Sequence, residues 1–110
     1  MATTVLINPF EVADAVADDQ FLAGWQRAAE YMRSQPGFVG TRLHRATSPD
    51  AKFRFVNVAE WQSPVAFRAA VTSEEFRRIA GNGPAGFPAL YEVALELDGP
   101  ATTPGKDATK

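Results

Sequence analysis

Phe53-Arg54-Phe55-Val56-Asn57-Val58-Ala59-Glu60-Trp61 is the stretch whose reading decides the fold. Its aromatic and β-branched residues alternate with others at a period of two, the signature of a β-strand. Phe53, Phe55, Asn57, Ala59 and Trp61 share one side, and Val56 and Val58 lie on the other between Arg54 and Glu60. Neither side is polar at its centre, so a sheet built on this strand needs a cover on both faces.

Working outward, residues 47–52 form a turn carrying Ser48-Pro49-Asp50, and residues 38–46 read as the strand paired across it. Before that strand, Pro36-Gly37 stops a helix over residues 18–34. Its residues Phe21, Leu22, Trp25, Ala28, Ala29 and Met32 fall on one 3.6-period stripe. Asp18 and Asp19 suit its positive end and Arg33 its negative end. Residues 3–12 read as a first strand, with an edge or bulge at Pro9 because proline donates no ladder hydrogen bond. Downstream, Ser63-Pro64 is a helix start. That helical region is interrupted near Thr72, where Thr72-Ser73-Glu74-Glu75 fits a capping box, and it ends at Gly81. Residues 90–97 form the last strand, with Tyr91, Val93, Leu95 and Leu97 on one side.

The order is β-α-β-β-α-β, which predicts an α+β, ferredoxin-like domain: a four-stranded antiparallel sheet with helices on one face. The simplest cover for the other, apolar face is the same sheet from a second copy, so a homodimer is expected. One domain over residues 1–97 accounts for the length, and residues 98–110 read as a disordered polar tail.

With 13 acidic and 11 basic residues scattered along the chain, no basic run suits nucleic acid. The absence of cysteine removes disulfides, thiolate metal sites and cysteine nucleophiles. Neither a signal peptide nor a membrane span is legible, so a cytoplasmic protein is expected.

Asn57 is the first candidate for chemistry, a lone amide in the middle of an aromatic face. Burying an unpartnered amide costs roughly 1–3 kcal/mol, so an amide there has either a task or a loop backbone to bond. Trp61, on the same side, offers an indole N–H and a stacking surface, or simply closes the core. The two Cα atoms are expected about 13 Å apart, a span that brackets a flat polycyclic molecule. Asn8 points a second amide into the same pocket or serves a bulge beside Pro9. His44, the single histidine, is a possible general base that lacks a ligand set for a metal. Phe53, Phe55 and Phe67 supply apolar wall. Arg42, Arg45 and Arg54 read as surface charges of the hairpin, and Phe67, Val71, Phe76 and Ile79 as core. Gly81-Asn82-Gly83-Pro84-Ala85-Gly86 matches G-x-G-x-x-G in letters alone. A dinucleotide site needs a strand before it and a helix after it, and here the order is reversed. It reads as a flexible connection over a pocket mouth.

Pro36-Gly37-Phe38, the segment from Phe55 to Ser63, and Glu75-Phe76-Arg77 resemble the antibiotic biosynthesis monooxygenase family, over about residues 5–93. The resemblance implies a ferredoxin-like fold dimerised into an α+β barrel. It also implies O2-dependent oxidation of an aromatic substrate, such as an anthrone, a quinol or a phenolic polyketide, without metal or flavin. Within the family, the Asn and Trp that the anthrone oxygenases place four residues apart match Asn57 and Trp61. A tyrosine of that branch falls on Phe67, which has no hydroxyl. The Asn of the haem-degrading branch matches Asn8, while its Trp and His fall on Ala70 and Ala80, so haem degradation is not expected. Two other readings keep the same fold: a polyketide cyclase or isomerase, and a non-catalytic binder of a flat hydrophobic metabolite.

Overall fold

The computed structural model describes residues 3–81 and 83–100. Asn82, and residues 101–110 of the expected tail, lie outside them.

Three strands carry the sheet: β1 (Thr4–Glu11), β2 (Phe38–Arg45) and β3 (Phe55–Trp61). All pairings are antiparallel, and β3 lies between β2 and β1. Helix α1 (Asp18–Arg33) joins β1 to β2, and α2 (Pro64–Val71) and α3 (Glu74–Ala80) follow β3. The sheet closes on the far side of β1 with two short strands, β4 (Ala85–Gly86) and β5 (Ala89–Tyr91). This is the ferredoxin-like α+β arrangement, with the second helix split in two.

The last strand departs from expectation. β4 and β5 pair with β1 in one continuous register, Ala85 opposite Glu11 through Tyr91 opposite Val5. Phe87 and Pro88 stand opposite Pro9 and Asn8 across the gap, and neither proline has an N–H to give, so the ladder is interrupted there. A single bond, Phe87 N–H to the Pro9 carbonyl at 3.0 Å, bridges the interruption. The closing strand therefore begins within the glycine-rich segment expected to be a loop, and stops at Tyr91 instead of Leu97. The register puts Glu92 opposite Thr4, the first residue of β1, and Val93 past its end. Residues 92–97 consequently form no strand and are exposed.

Local chemistry explains the helix ends. Ala17, at the α1 N-cap, makes no side-chain cap bond. Asp18 there is held instead by Arg54 at 3.3 Å and Arg45 at 3.7 Å. Arg54 also donates to the Ala13 and Val16 carbonyls at 3.0 and 2.8 Å, so it ties down the β1–α1 loop in addition to carrying surface charge. α1 ends at Arg33 with Ser34 as its C-cap. The turn into β2 passes through Gly37, whose φ of +87° suits glycine, and where a Cβ would stand 2.5 Å from the Ala66 Cβ. Ser63 caps α2 through the Ala66 N–H, with proline at the first helical position. The α3 cap is Ser73, which accepts from the Phe76 N–H at 3.1 Å. Thr72, the expected cap, instead donates to the Arg68 carbonyl at the end of α2.

The helices cover the sheet face that bears Leu6, Asn57, Ala59 and Trp61. Leu6, Ala59, Trp61 and Ala70 form the buried core, packed by Met32, Phe38, Phe67 and Leu90. A second cluster stacks Phe21 on Phe55, ring centroids 4.4 Å apart, with Phe10 edge-on to Phe21. The opposite face carries Val5, Ile7, Val56 and Val58, half-buried, and among the described residues no element lies over it.

Candidate functional site

Between the helices and the sheet lies a cavity of about 860 Å³, a volume within the range of small-molecule sites. α1 was expected to bury a full stripe, yet only its Phe21 is buried. Trp25, Ala28, Ala29 and Met32 face the cavity instead. Phe67, Val71, Phe76 and Ile79, expected as core, line it too. The helical layer thus stands off the sheet over this region, and the aromatic side chains wall a space.

The sheet contributes the polar groups. Asn8 and Asn57 are direct partners across β1 and β3, so their side chains leave the same face side by side. Both line the cavity, as do Thr41 and Trp61. Asn57 is the single buried polar residue among those described, 9 % exposed. Its Oδ1 accepts a hydrogen bond from the Thr41 hydroxyl. Asn8 Oδ1 is buried without a partner among the described residues, as is Trp61 Nε1. The Trp61 ring, 1 % exposed, is held edge-on between Phe38 and Phe67, at centroid distances of 5.2 and 5.8 Å. Phe67 therefore positions the indole through its ring, with no hydroxyl to offer the indole N–H.

Four expected site residues, Asn8, Asn57, Trp61 and Phe67, come together on this cavity. Three do not line it. His44 pairs with Val56 on the exposed side of the sheet. The cause is the irregularity between Phe38 and Gly40, which reverses the alternation along β2 and turns Thr41 and Leu43 inward. Phe55 does face the helices, but its ring is consumed by the stack on Phe21. Phe53 precedes β3 and packs on Phe87, centroids 5.9 Å apart. Sequence reasoning missed Phe10, Trp25, Phe38 and Thr41 as wall residues. Phe10 was open to parity counting from Asn8, whereas Thr41 required the bulge.

Among the described residues the lining contains no histidine, and its one carboxylate, Glu11, is exposed at the end of β1. Arg27 and Arg78 are exposed cations on the same lining. Among the described residues no group of three or more His, Cys, Asp or Glu side chains is placed to hold a metal ion. Ala80 lines the cavity and Ala70 is buried in the core cluster, and neither offers a ligand atom to a haem iron. What the site can do is hold a flat aromatic molecule against apolar walls, with the Asn8 and Asn57 amides and the Trp61 indole along one of them.

A family model for the antibiotic biosynthesis monooxygenases matches residues 4–82. Among solved structures, a candidate monooxygenase from Shewanella loihica PV-4 is 34% identical, with a TM-score of 0.75 over 87% of this chain and 99% of that one. SnoaB, a cofactor-independent oxygenase from Streptomyces nogalater, is 27% identical, with a TM-score of 0.74 over 88% of this chain and 98% of its own. A mutant of MhuD with two manganese protoporphyrin IX molecules bound per active site is 26% identical, with a TM-score of 0.67 over 87% and 99%. No curated protein matches the chain closely enough to count as a relative.

Proposed function

The chain belongs to the antibiotic biosynthesis monooxygenase family, and on that premise we propose that it is a cofactor-independent monooxygenase. Its substrate in this reading is an electron-rich aromatic, of the anthrone, quinol or phenolic polyketide kind, and its oxidant is O2. The observation that carries the reading is the buried, unpartnered indole N–H of Trp61 on the wall that also bears Asn57. An orphaned donor costs about 1–3 kcal/mol, and a ligand oxygen relieves that cost. An enolate or phenolate oxygen gains most from such donors, since charge-assisted hydrogen bonds are about twice as strong as neutral ones.

The chemistry balances without a further reagent. An activated methylene loses a proton to give an enolate, and the enolate gives an electron to O2. The two radicals join as a peroxide anion, which takes back a proton, and the resulting hydroperoxide loses water to leave a carbonyl. One oxygen atom enters the substrate, and the other departs as water with both methylene hydrogens. The protein's part is to keep the substrate dry, to hold it between Trp25, Phe67 and Phe76, and to stabilise the oxyanion through Asn57 and Trp61. Asn8 lies beside Asn57 and orients a second substrate oxygen. SnoaB, described as a cofactor-independent oxygenase, supports the cofactor-free form of this reading.

A second copy of the chain is the partner in this proposal. It covers Val5, Ile7, Val56 and Val58 on the sheet face away from the helices, and the exposed Val93, Leu95 and Leu97 beyond β5.

O2 uptake with a simple anthrone, in chelated and flavin-free buffer, tests the reading against Asn57→Ala. Saturable uptake that falls at least about tenfold in the variant is expected, a threshold set below the roughly hundredfold or greater loss typical of removing one oxyanion donor. Uptake indifferent to the substitution removes the amide from the mechanism. No uptake above the spontaneous rate overturns the oxygenase. Turnover in strict anaerobiosis then points to a cyclase or isomerase, and tight binding without turnover to a binding protein.

A further inference from the structure

We infer that Thr41 is a positioning residue, whose hydroxyl sets the Asn57 side chain with its N–H₂ group toward the cavity and its carbonyl oxygen turned away. The consequence for turnover rests on the oxygenase reading; the orientation itself does not.

A primary amide has two ends of nearly equal size and opposite hydrogen-bonding sense, and the torsion that exchanges them is soft. Asn57 pointing Nδ2 into the cavity is a donor to a developing oxyanion. The same residue rotated by half a turn points lone pairs at it and repels it. Something beside the amide must choose, and the choice matters more in a dry cavity than in water.

Thr41 makes that choice. It lies one rung along β2 from Leu43, the direct partner of Asn57, on the same inward face. Its Oγ1 donates to Asn57 Oδ1. With the amide flipped, Oγ1 would accept from Nδ2 and its own proton would be left with only the Val58 carbonyl, a poor acceptor at 3.5 Å, so the orientation with Oδ1 on the hydroxyl is favoured. Thr41 turns inward because of the irregularity between Phe38 and Gly40, so the bulge, the hydroxyl and the amide form one arrangement. With Oδ1 held toward β2, Nδ2 is left toward β1 and the cavity, where Asn8 is the neighbour. A hydrogen bond received at the carbonyl also polarises the amide and makes its N–H a better donor.

The test compares wild type, Thr41→Val, Thr41→Ser, Asn57→Ala and the Thr41→Val/Asn57→Ala double variant. In the free protein, the side-chain ¹⁵N resonance of Asn57, identified by its loss in Asn57→Ala, moves upfield in Thr41→Val and returns in Thr41→Ser. In anthrone oxidation, Thr41→Val lowers kcat by about tenfold with little change in KM, because the donor acts mainly on the transition state. Serine restores kcat, and Thr41→Val has no further effect once Asn57 is alanine. An unmoved resonance overturns the inference, and so does an unchanged kcat or an equal loss in the Asn57→Ala background. If the wild-type protein consumes no O2, the oxygenase reading fails, and the resonance shift still decides the orientation.

Discussion

Gly86 matters through the side chain it does not have. A Cβ there would stand 2.7 Å from Asn8 Oδ1, 3.2 Å from Asn8 Nδ2 and 3.2 Å from the Phe10 ring. β4 therefore lies directly against the amide and holds it beside Asn57. Gly86→Ala is expected to push the Asn8 side chain out of place and to lower stability by about 1–3 kcal/mol, the usual cost of overpacking. Ligand titration by quenching of tryptophan fluorescence, with thermal unfolding alongside, checks this; unchanged affinity would mean that Asn8 is free to move. At this scale much of the site was legible. Asn57 and Trp61 stood out as polar atoms on an apolar strand face, and both line the cavity. Phe53 and Phe55 share their parity, yet packing partners claimed them: Phe87 for one and Phe21 for the other. Parity shows which face a ring leaves, and only the facing layer decides whether it meets a neighbour or a void.

Elements add constraints that no single residue carries. Ser73 caps α3, donates to the Ala70 carbonyl at 2.8 Å, and lies 2.8 Å from the Tyr31 hydroxyl of α1. Since the serine proton goes to Ala70, Tyr31 is the donor of the pair. One hydroxyl thus joins the end of α2, the start of α3 and the last turn of α1, the three helices that roof the cavity. Ser73→Ala is expected to cost about 1–2 kcal/mol, the loss of a cap together with its link. Tyr31→Phe removes the link alone and should cost less. Thermal unfolding of both variants and of their double combination measures the coupling, and strictly additive losses would show that the helices do not depend on this contact. The serine cap was readable from sequence to within one residue, but the link from Tyr31 spans 42 positions and has no local signal. His44 shows the same limit. Counting alternate residues from Phe38 sends it inward, and one bulge sends it out. Element order survived such errors because hydrophobic periodicity and the Pro-Gly stops are local, whereas register is set between strands.

At the scale of the molecule, the C-terminal segment shows how far pattern can be read. The alternation of Tyr91, Val93, Leu95 and Leu97 is a strand signature, and it predicts burial on one side. The register on β1 ends near Thr4, so the chain's own sheet has no rung for most of it. Val93, Leu95 and Leu97 are accordingly 65%, 79% and 83% exposed. On the outer sheet face Val5, Ile7, Val56 and Val58 are half-buried, and the described residues give them no second layer. Apolar alternation specifies that a surface is to be covered without saying by which chain, and a second copy answers for both surfaces at once. Burying each leucine contributes about 1.5–3 kcal/mol, so Leu95→Asp/Leu97→Asp should weaken self-association by at least a hundredfold. Light scattering on a sizing column is expected to give twice the chain mass for the wild type at micromolar concentration and the monomer mass for the variant. A wild type that stays monomeric would send the search for the cover to another protein. A variant that stays dimeric would place the interface on the sheet face alone. Because the cavity lies on the helix side, Asn57 and Trp61 remain in place in a monomer. Activity retained by the monomeric variant would then separate the chemistry of the site from the assembly that covers the far side of its sheet.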